Sequence, residues 1–266
     1  MNAPRPLKRV SASDKDRRTL QQVLETRTLA QAPQPPDYRD KVVRKPWGYE
    51  FLIFENRRVA VWFLHIQKDH ATSMHCHPNK RTALSVLSGK ALCNTFHQRH
   101  FLSAGDAVNL DPGVFHASKA MALEGVLLLE TESPNAKSDL VRLEDSYGRQ
   151  GHGYEGLAQM GSERLEEFHH FSFQGGEPAW KAPEGSFTYG DRFSIGFEGF
   201  SGPEAFAAGF TADHGATYNV CLGELLDAEG RVVAGIGQAE RGSVLTQVPR
   251  LRVAEPILLL KIRMFT

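Results

Sequence analysis

The chain is organised around one stretch, Met74-His75-Cys76-His77-Pro78-Asn79-Lys80-Arg81-Thr82-Ala83-Leu84-Ser85-Val86-Leu87-Ser88-Gly89. Residues two apart in a β-strand project to the same face, so we expect His75 and His77 to share one interior while Cys76 points away. The apolar run from Ala83 to Leu87, closed by Ser88-Gly89, predicts a second strand that ends in a tight turn. Two imidazoles would therefore meet inside a β-structure.

A third histidine, His116, closes the segment Asp111-Pro112-Gly113-Val114-Phe115-His116, after the turn-forming Gly105-Asp106. Neutral imidazole suits divalent ions such as Zn, Fe and Ni, and three imidazoles leave coordination positions open for water or substrate. The spacing therefore predicts a metal site of the catalytic kind, held by His75, His77 and His116. The ion could be Zn, Fe, Mn or Ni.

These motifs resemble the two metal-binding motifs of the cupins, small jelly-roll β-barrels that include the RmlC-like proteins. The resemblance rests on His75-x-His77, a following strand with Gly89, and Gly105 with Gly113-x-x-His116. The cupin pattern usually adds a glutamate between the second histidine and the glycine turn. Counting back from Gly89 puts that position at Thr82, so the resemblance implies a three-histidine site without the carboxylate.

The composition limits the class of protein. Lys plus Arg equals Asp plus Glu at 31 each, so charge gives no support for a nucleic-acid partner or an acidic membrane surface. Three cysteines do not form a disulfide framework, which favours a reducing compartment. No apolar run approaches the length of a membrane span, and the N-terminus does not resemble a signal peptide. We expect a soluble, cytoplasmic protein.

The N-terminal 40 residues differ from the rest. Ser13 followed by Asp16 resembles a capping box, and apolar residues at helical spacing predict a helix from about Asp14 to Ala30. The proline-rich segment 32–36 would end it. This helical arm is expected to pack either on a neighbouring subunit or on its own barrel.

Short strands separated by turns follow from residue 42. Strands are predicted at 49–54, 59–66, 90–96, 107–110 and 126–129, with turns at 55–58 and 97–100. Strands at this spacing indicate an all-β sandwich or barrel.

The borders of this region extend the resemblance. Lys45-Pro46-Trp47-Gly48-Tyr49-Glu50 and Ser138-Asp139-Leu140-Val141-Arg142-Leu143-Glu144-Asp145-Ser146-Tyr147-Gly148-Arg149 look like the segments that open and close the cupin domain of type II mannose-6-phosphate isomerases. The likeness covers residues 44–149 and implies a metal-dependent sugar-phosphate isomerase. From the residues alone, Trp47 could equally be a barrel plug and the charged residues a salt-bridged clasp.

The last third appears as a weaker repeat of the first barrel. Gly89 is echoed by Gly223, Gly105–Pro112 by Gly242–Pro249, and 124–129 by 255–260. The same spacing places Gly209 and Thr211 where His75 and His77 would stand, and Val253 near the third ligand position. We therefore predict two cupin barrels, the second without metal ligands. The alternative is a β extension of one larger barrel.

The predicted organisation has four parts: a helical arm and linker at 1–40, a metal-binding cupin barrel at 41–150, a linker at 151–190 and a degenerate second barrel at 191–266. His169-His170 are assigned to the linker, since adjacent side chains point in different directions. A short helix is expected around 162–169.

Sugar isomerisation requires a base that moves a proton between adjacent carbons. Glu50 and Glu130 are the candidate bases, and strand parity leaves the choice open. Lys80 and Arg81 are placed near the mouth, where they could bind a phosphate or carboxylate, and Thr82 could bind a water molecule. A solvated loop is the other interpretation of Lys80 and Arg81.

Three functions fit these residues. The first is a metal-dependent sugar or sugar-phosphate isomerase or epimerase, and the second is a three-histidine non-haem iron dioxygenase. The third is a cupin that binds a small molecule without turnover. The expected partners are a small substrate, such as a sugar phosphate or organic acid, and a second copy of the chain in a homodimer, since exposed strand edges need covering.

Overall fold

A computed structural model describes residues 7–26, 36–149, 154 and 157–265. The strands of the first half are β1 (Lys8–Val10), β2 (Val42–Lys45), β3 (Gly48–Glu55), β4 (Ala60–Ile66), β5 (Met74–Cys76), β6 (Arg81–Thr95), β7 (Arg99–Ser103), β8 (Ala107–Leu110), β9 (His116–Ala120), β10 (Val126–Ser133) and β11 (Val141–Glu144). Those of the second half are β12 (Met160–Gly161), β13 (Ser186–Tyr189), β14 (Phe193–Phe200), β15 (Ala216–Leu222), β16 (Leu225–Leu226), β17 (Val232–Ala234), β18 (Ala239–Arg241) and β19 (Ile257–Met264). The helices are α1 (Asp14–Thr26), α2 (Pro203–Gly209) and α3 (Gly242–Leu245).

The long strand β6 joins two facing sheets of the first barrel. Its first part pairs with β8 and β10, and its second part pairs with β7 and β9. On one side the ladder continues through β10, β4, β3 and β2, and on the other through β9, β5 and β11. The all-β prediction is confirmed, and this arrangement brings the strands of His75 and His116 next to each other.

Gly89 lies inside β6 rather than in a turn, which corrects the prediction that the strand ends at Ser88-Gly89. Its φ of +80° and its contact with a neighbouring carbonyl explain why glycine is required there. A second correction concerns segment 97–100, since the turn is shorter than predicted and Arg99 already begins the unpredicted strand β7.

The middle strands of the first barrel are buried on both faces, as their continuous apolar sequences allow. Trp62 and Leu64 of β4 face the barrel interior, whereas Val61 and Phe63 belong to a separate apolar layer. That layer also contains residues of the second half, among them Ile195. The sheet ordered β13-β14-β19-β15-β18 therefore packs on the outer face of the first barrel.

The N-terminal arm packs on its own barrel. The capping box is present, because the Ser13 N–H donates to Asp16 Oδ2 at 2.8 Å and the Asp16 N–H donates to Ser13 Oγ at 3.2 Å. β1 pairs in parallel with β8, and Leu20 of α1 packs against the buried cluster that contains Cys76 and Phe115. The helix is described to Thr26, and the predicted extension to Ala30 lies outside the described residues.

The predicted repeat has a local counterpart in the structure. Gly89 and Gly223 both have positive φ, +80° and +74°. A Cβ on Gly89 would lie 2.4 Å from the carbonyl oxygen of Gly125, and one on Gly223 would lie 2.6 Å from that of Pro256. The two glycines therefore occupy equivalent places, each where one strand passes close to its neighbour.

The remaining alignment of the repeat needs correction. The Gly105 N–H donates to the Val86 carbonyl at 2.9 Å, and the Gly237 N–H donates to the Val220 carbonyl at the same distance. Gly237, and not Gly242, is therefore the residue of the second half whose position matches that of Gly105. Gly209 ends helix α2, so the strand predicted to carry the first two ligand positions is absent there, among the residues that the structure describes.

The interior of the second half is apolar. Its buried cluster includes Phe206, Tyr218, Leu245, Val253 and Ile257. The division into two barrels stays a prediction, since the second half is a five-stranded sheet with a separate two-stranded ribbon.

The predicted linker at 151–190 contains more structure than expected. It includes β12, β13 and a 3₁₀ turn at Leu165–Phe168, inside the range where a short helix was predicted. No helix in the described part of the chain is long and apolar enough to cross a membrane.

Candidate metal centre

His75, His77 and His116 meet inside the first barrel. His75 of β5 lies directly opposite His116 of β9 in the ladder, and their ring centroids are 4.4 Å apart. His77 follows β5, and its ring centroid is 5.1 Å from that of His75 and 5.6 Å from that of His116. One ligand atom from each ring lies within 4.8 Å of the others, so the three could hold one ion. Their spacing predicts this convergence, whereas their role as ligands stays a prediction.

Hydrogen bonds fix the orientation of all three rings. The Nδ1 atoms of His75, His77 and His116 lie 2.8, 2.7 and 3.0 Å from the carbonyl oxygens of Ser73, Asp139 and Val114, respectively. A carbonyl can only accept, so these partners assign the hydrogen to Nδ1 and leave Nε2 as the acceptor. This is the usual arrangement of a metal-binding histidine. The Nε2 atom of His77 is buried and has no hydrogen-bond partner among the described residues.

The environment keeps the three imidazoles neutral. Burial lowers the pKa of each ring, most strongly for His75 and His77. A second contribution comes from the neighbouring charges, with His116 lowering the pKa of His75 and Lys80 lowering that of His77. Since the neutral ring is the form that binds metal, the donor set fits a divalent ion without prior loss of a proton.

Two carboxyl groups lie beside the histidines. Glu130 and Glu132 are two residues apart on β10, and their oxygens lie 3.9 and 3.7 Å from His77 Nε2. The atoms of His77, Glu130 and Glu132 form a second group within 4.8 Å of one another. Glu132 stands directly opposite Thr82 in the ladder between β10 and β6. A carboxylate is therefore available on the strand next to the position where the cupin pattern has one.

Glu130 differs from its neighbours in its protonation. Burial raises its pKa, the negative charge of Glu132 raises it further, and the result is about 8 even though Lys137 opposes the shift. A carboxyl group with a pKa close to neutral pH can both accept and release a proton, as general acid–base catalysis requires.

Glu50 is held as a carboxylate. It lies 3.4 Å from Lys45 Nζ and 3.2 Å from Lys137 Nζ, and the Tyr154 hydroxyl donates to it. Burial raises the pKa of Glu50, but Lys137, Lys45 and the Tyr154 hydroxyl outweigh that effect and bring it to about 2. Of the two candidate bases, Glu50 is thus the weaker, and Glu130 is the one that we retain.

Lys80 and Arg81 were predicted at the mouth or in a solvated loop, and Thr82 where it could bind a water molecule; the structure places the three residues differently from one another. Lys80 is 1% exposed and its Nζ lies 2.6 Å from Glu132 Oε1, so it forms part of the cavity wall. Arg81 is outside the cavity lining, with its Nε 3.8 Å from Asp111. Thr82 is buried, also outside the lining, and its hydroxyl has no partner in the described structure.

The loop between β10 and β11 contains residues that the sequence reasoning missed. The Asp139 carboxylate accepts the N–H groups of Asn79 and Lys80 at 2.9 and 3.0 Å, and its carbonyl accepts from His77. Lys137 lies 3.6 Å above the Trp62 ring. Asp139 belongs to the segment 138–149 noted above and Lys137 directly precedes it, but only the fold shows that Asp139 binds His77 and that Lys137 lines the cavity. Glu132 could have been found from the alternation Glu130-Thr131-Glu132, which places two carboxylates on one face of a strand.

These groups surround a cavity of about 50 Å³. Its charged and imidazole lining consists of His75, His77, His116, Glu50, Glu130, Glu132, Lys45, Lys80, Lys137, Arg142 and Arg149. Five cationic side chains and three carboxyl groups line the cavity, and Lys80, Lys45 and Lys137 lie within ion-pair distance of Glu132 or Glu50. Arg149 is itself bound to Asp145 at 2.6 Å, as the salt-bridged clasp predicts.

Comparison with solved structures gives low sequence identity throughout. KdgF from Halomonas sp. is 16% identical, with a TM-score of 0.33, over 35% of this chain and 83% of that one. A double-stranded β-helix protein from Klebsiella pneumoniae is 20% identical, with a TM-score of 0.34, over 42% and 90%. An RmlC-like cupin from Shewanella frigidimarina is 18% identical, with a TM-score of 0.33, over 40% and 95%.

No protein-family model and no curated protein sequence matches the chain. The fold itself is clear from the facing antiparallel sheets joined by β6 and from the inward-pointing histidines of β5 and β9. The first barrel therefore has the jelly-roll type of β-barrel fold that the sequence resemblance predicts.

Proposed function

We propose that this protein is a metal-dependent isomerase or epimerase of a sugar or sugar phosphate. The observation that carries this proposal is the presence, in one cavity, of a three-imidazole donor set and the buried carboxyl group of Glu130, 3.9 Å from His77 Nε2, whose pKa is raised by burial and by Glu132. The sequence resemblance of residues 44–149 to type II mannose-6-phosphate isomerases supports it.

His75, His77 and His116 would hold the ion, and Glu132 is near enough to His77 to contribute a carboxylate oxygen. Two observations indicate that these histidines suit a metal ion. The buried Nε2 of His77 has no hydrogen-bond partner among the described residues, and all three Nδ1 atoms are bonded to backbone carbonyls. When bound, a divalent ion supplies Lewis acidity, which polarises a carbonyl or hydroxyl oxygen of a sugar.

Glu130 would move the proton. Its ionised oxygen would accept the proton from the carbon next to the carbonyl, while the C–H electron pair forms the carbon–carbon double bond and the carbonyl π pair moves onto the oxygen, which gives an enediolate. For isomerisation, the same carboxyl group would return the proton to the former carbonyl carbon, and the proton of the neighbouring hydroxyl would pass to the first oxygen as the new carbonyl forms. For epimerisation, a second acid would protonate the original carbon from the opposite face. Lys137 and Lys45 lower the pKa of Glu50, whereas burial raises the pKa of Glu130, so we assign the exchangeable proton to Glu130.

The cavity favours an anionic substrate. Lys80 and Lys137 line its wall, and Arg142 is buried beside His75 in the ladder. A volume of about 50 Å³ has room for an ion and a few water molecules, so only the reacting end of a sugar would enter it.

Proton exchange in D₂O tests this function. Mannose 6-phosphate and fructose 6-phosphate are incubated with the Zn²⁺- or Mn²⁺-loaded protein under anaerobic conditions, and NMR follows deuterium at C1 and C2. We expect exchange with the wild type, and a loss of about 100-fold or more in Glu130→Gln with the metal retained. Glu198→Gln, which changes a carboxylate paired with Lys261 outside the cavity, is the matched control.

A second candidate function follows from the histidines alone. His75, His77 and His116 form a complete group without a carboxylate, as in a three-histidine non-haem iron dioxygenase. Oxygen consumption by the Fe²⁺-loaded protein, together with no deuterium exchange, would favour this candidate. A tightly bound ligand with neither reaction would favour a binding protein.

A further inference from the structure

Three neighbouring strands of the first barrel present site residues on one face only. β11, β5 and β9 lie side by side, and they turn Arg142, His75 and His116 into the cavity. The residue before or after each of these in the chain points to the other face, because side chains alternate along extended backbone. These outward residues are Val141, Cys76 and Phe115, and each is at most 2% exposed.

Helix α1 covers that outer face. Leu20 and Val23, one turn apart on α1, pack against the cluster formed by Cys76, Phe115 and Val141. A single helix therefore contacts the immediate sequence neighbours of two candidate ligands and of a cationic residue in the cavity. Any shift of α1 would be transmitted to these strands, since well-packed interiors have few voids to absorb it.

Asp16 adds a polar connection between α1 and His116. Its Oδ1 accepts the backbone N–H of Phe115 at 2.9 Å, and its Oδ2 accepts the N–H of Ser13 at 2.8 Å. The side chain is 3% exposed, so this carboxylate lies inside the protein. The amide that it binds belongs to the residue directly before His116. The capping of the helix and the placement of a candidate ligand therefore depend on the same carboxylate.

We propose that α1 is the outer wall of the metal centre and that Asp16 is a positioning residue for His116. This role rests on the metal site of the proposed function but not on its reaction. Groups that orient ligands from behind contribute strongly to metal affinity, because the ligand atoms must be held within a few tenths of an ångström. In addition, the buried negative charge of Asp16 favours a cation at the imidazoles.

Metal affinity of the folded protein tests this role without any sugar. Zn²⁺ binding to the full chain is measured by competition with a chromophoric chelator, and the visible absorption of bound Co²⁺ reports the ligand geometry. We expect Asp16→Ala to weaken Zn²⁺ binding by about 10- to 100-fold and to change the Co²⁺ spectrum. Asp14→Ala, in the same turn of α1 but exposed and paired with Arg17, should leave both unchanged.

The result will differ if α1 and Asp16 only stabilise the fold and do not position His116. Asp16→Ala would then lower the melting temperature while the Zn²⁺ affinity and Co²⁺ spectrum of the folded protein match those of Asp14→Ala, and that would overturn the inference. If Asp16→Ala does not fold, Leu20→Ala is measured instead, because it loosens the packing of α1 on the same strands. We then expect the same weakening of Zn²⁺ binding and the same change in the Co²⁺ spectrum. A wild type that binds neither ion would overturn the inference and the metal centre together, whereas metal binding without sugar turnover would contradict only the proposed function.

Discussion

His75 and His116 face each other across two adjacent strands, and their neutral rings depend on burial for their low pKa values. We expect His75→Ala to reduce the Zn²⁺ content of the purified protein by about 10-fold or more, because only two imidazoles of the set remain. Elemental analysis after dialysis measures this, with the exposed His214→Ala as the matched control. Equal metal content in the two variants would refute the ligand assignment.

Glu50 gives a prediction for pH dependence. Its pKa in the folded protein is about 2, below the ordinary value of 4.5, so its ionisation stabilises the fold above pH 4.5, and this stabilisation is lost as the pH falls towards 2. We expect the free energy of unfolding to fall less steeply over this window in Glu50→Gln than in the wild type.

The same substitution should also cost stability near neutral pH. Glu50→Gln leaves Lys45 and Lys137 buried without this negative partner, which we expect to cost roughly 3–5 kcal/mol. Urea unfolding from pH 2 to 7 measures both effects, with Glu198→Gln as a partly exposed control. Equal pH slopes for Glu50→Gln and the wild type would contradict the placement of Glu50 in this network.

At the level of single residues, the sequence predicts the histidines better than the charged groups. Strand periodicity suffices to bring His75 and His77 together, and the turn before His116 suggests the third ring. The protonation of Glu130 and Glu50 could not be predicted, because it depends on Lys137, which reaches the cavity from a loop after β10. Loop conformation is not specified by an alternating pattern.

Among the elements, β6 at Gly89 and the chain directly after β15 at Gly223 both pass close to neighbouring backbone. We expect Gly89→Ala and Gly223→Ala each to destabilise the protein by roughly 2–4 kcal/mol, since a Cβ would lie 2.4 or 2.6 Å from a carbonyl oxygen in addition to the unfavourable φ. Gly148→Ala is the control, because its φ is +77° but nothing lies within 4 Å of the added Cβ. Thermal unfolding measures all three, and equal losses would show that φ alone decides the cost.

The strands themselves were largely predictable, whereas the second half was not aligned correctly with the first. The apolar runs of β3, β4 and β10 indicate buried strands whatever their partners. The correspondence between Gly105 and Gly237 could not be read from spacing, because the second half contains α2 and the ribbon of β16 and β17, which alter the distances along the chain.

For the molecule as a whole, one apolar layer connects the first barrel with the five-stranded sheet. Phe63 of β4 and Ile195 of β14 belong to it, and both are almost fully buried. We expect a single cooperative unfolding transition, and we expect Ile195→Ala to cost about 2–5 kcal/mol and to shift that whole transition.

Tryptophan fluorescence in a Trp180→Phe background reports on Trp47 and Trp62 in the first barrel, and far-UV circular dichroism reports on the whole chain. The two transitions should coincide and move together in Ile195→Ala. Val232→Ala, at a residue that is 44% exposed, is the control. A shift that spares the fluorescence transition would mean that the two halves unfold independently. The homodimer and the cytoplasmic location stay predictions.

The carboxylate of Glu132, opposite Thr82, has a consequence for how binding sites of this kind evolve. A ligand residue on the adjacent strand lies only about 5 Å away, although its position in the sequence is far from the original one. The absence of an expected residue from a sequence motif therefore does not imply that the site lacks the ligand. For β-barrels, lateral neighbours are the natural unit in which to look for a missing ligand.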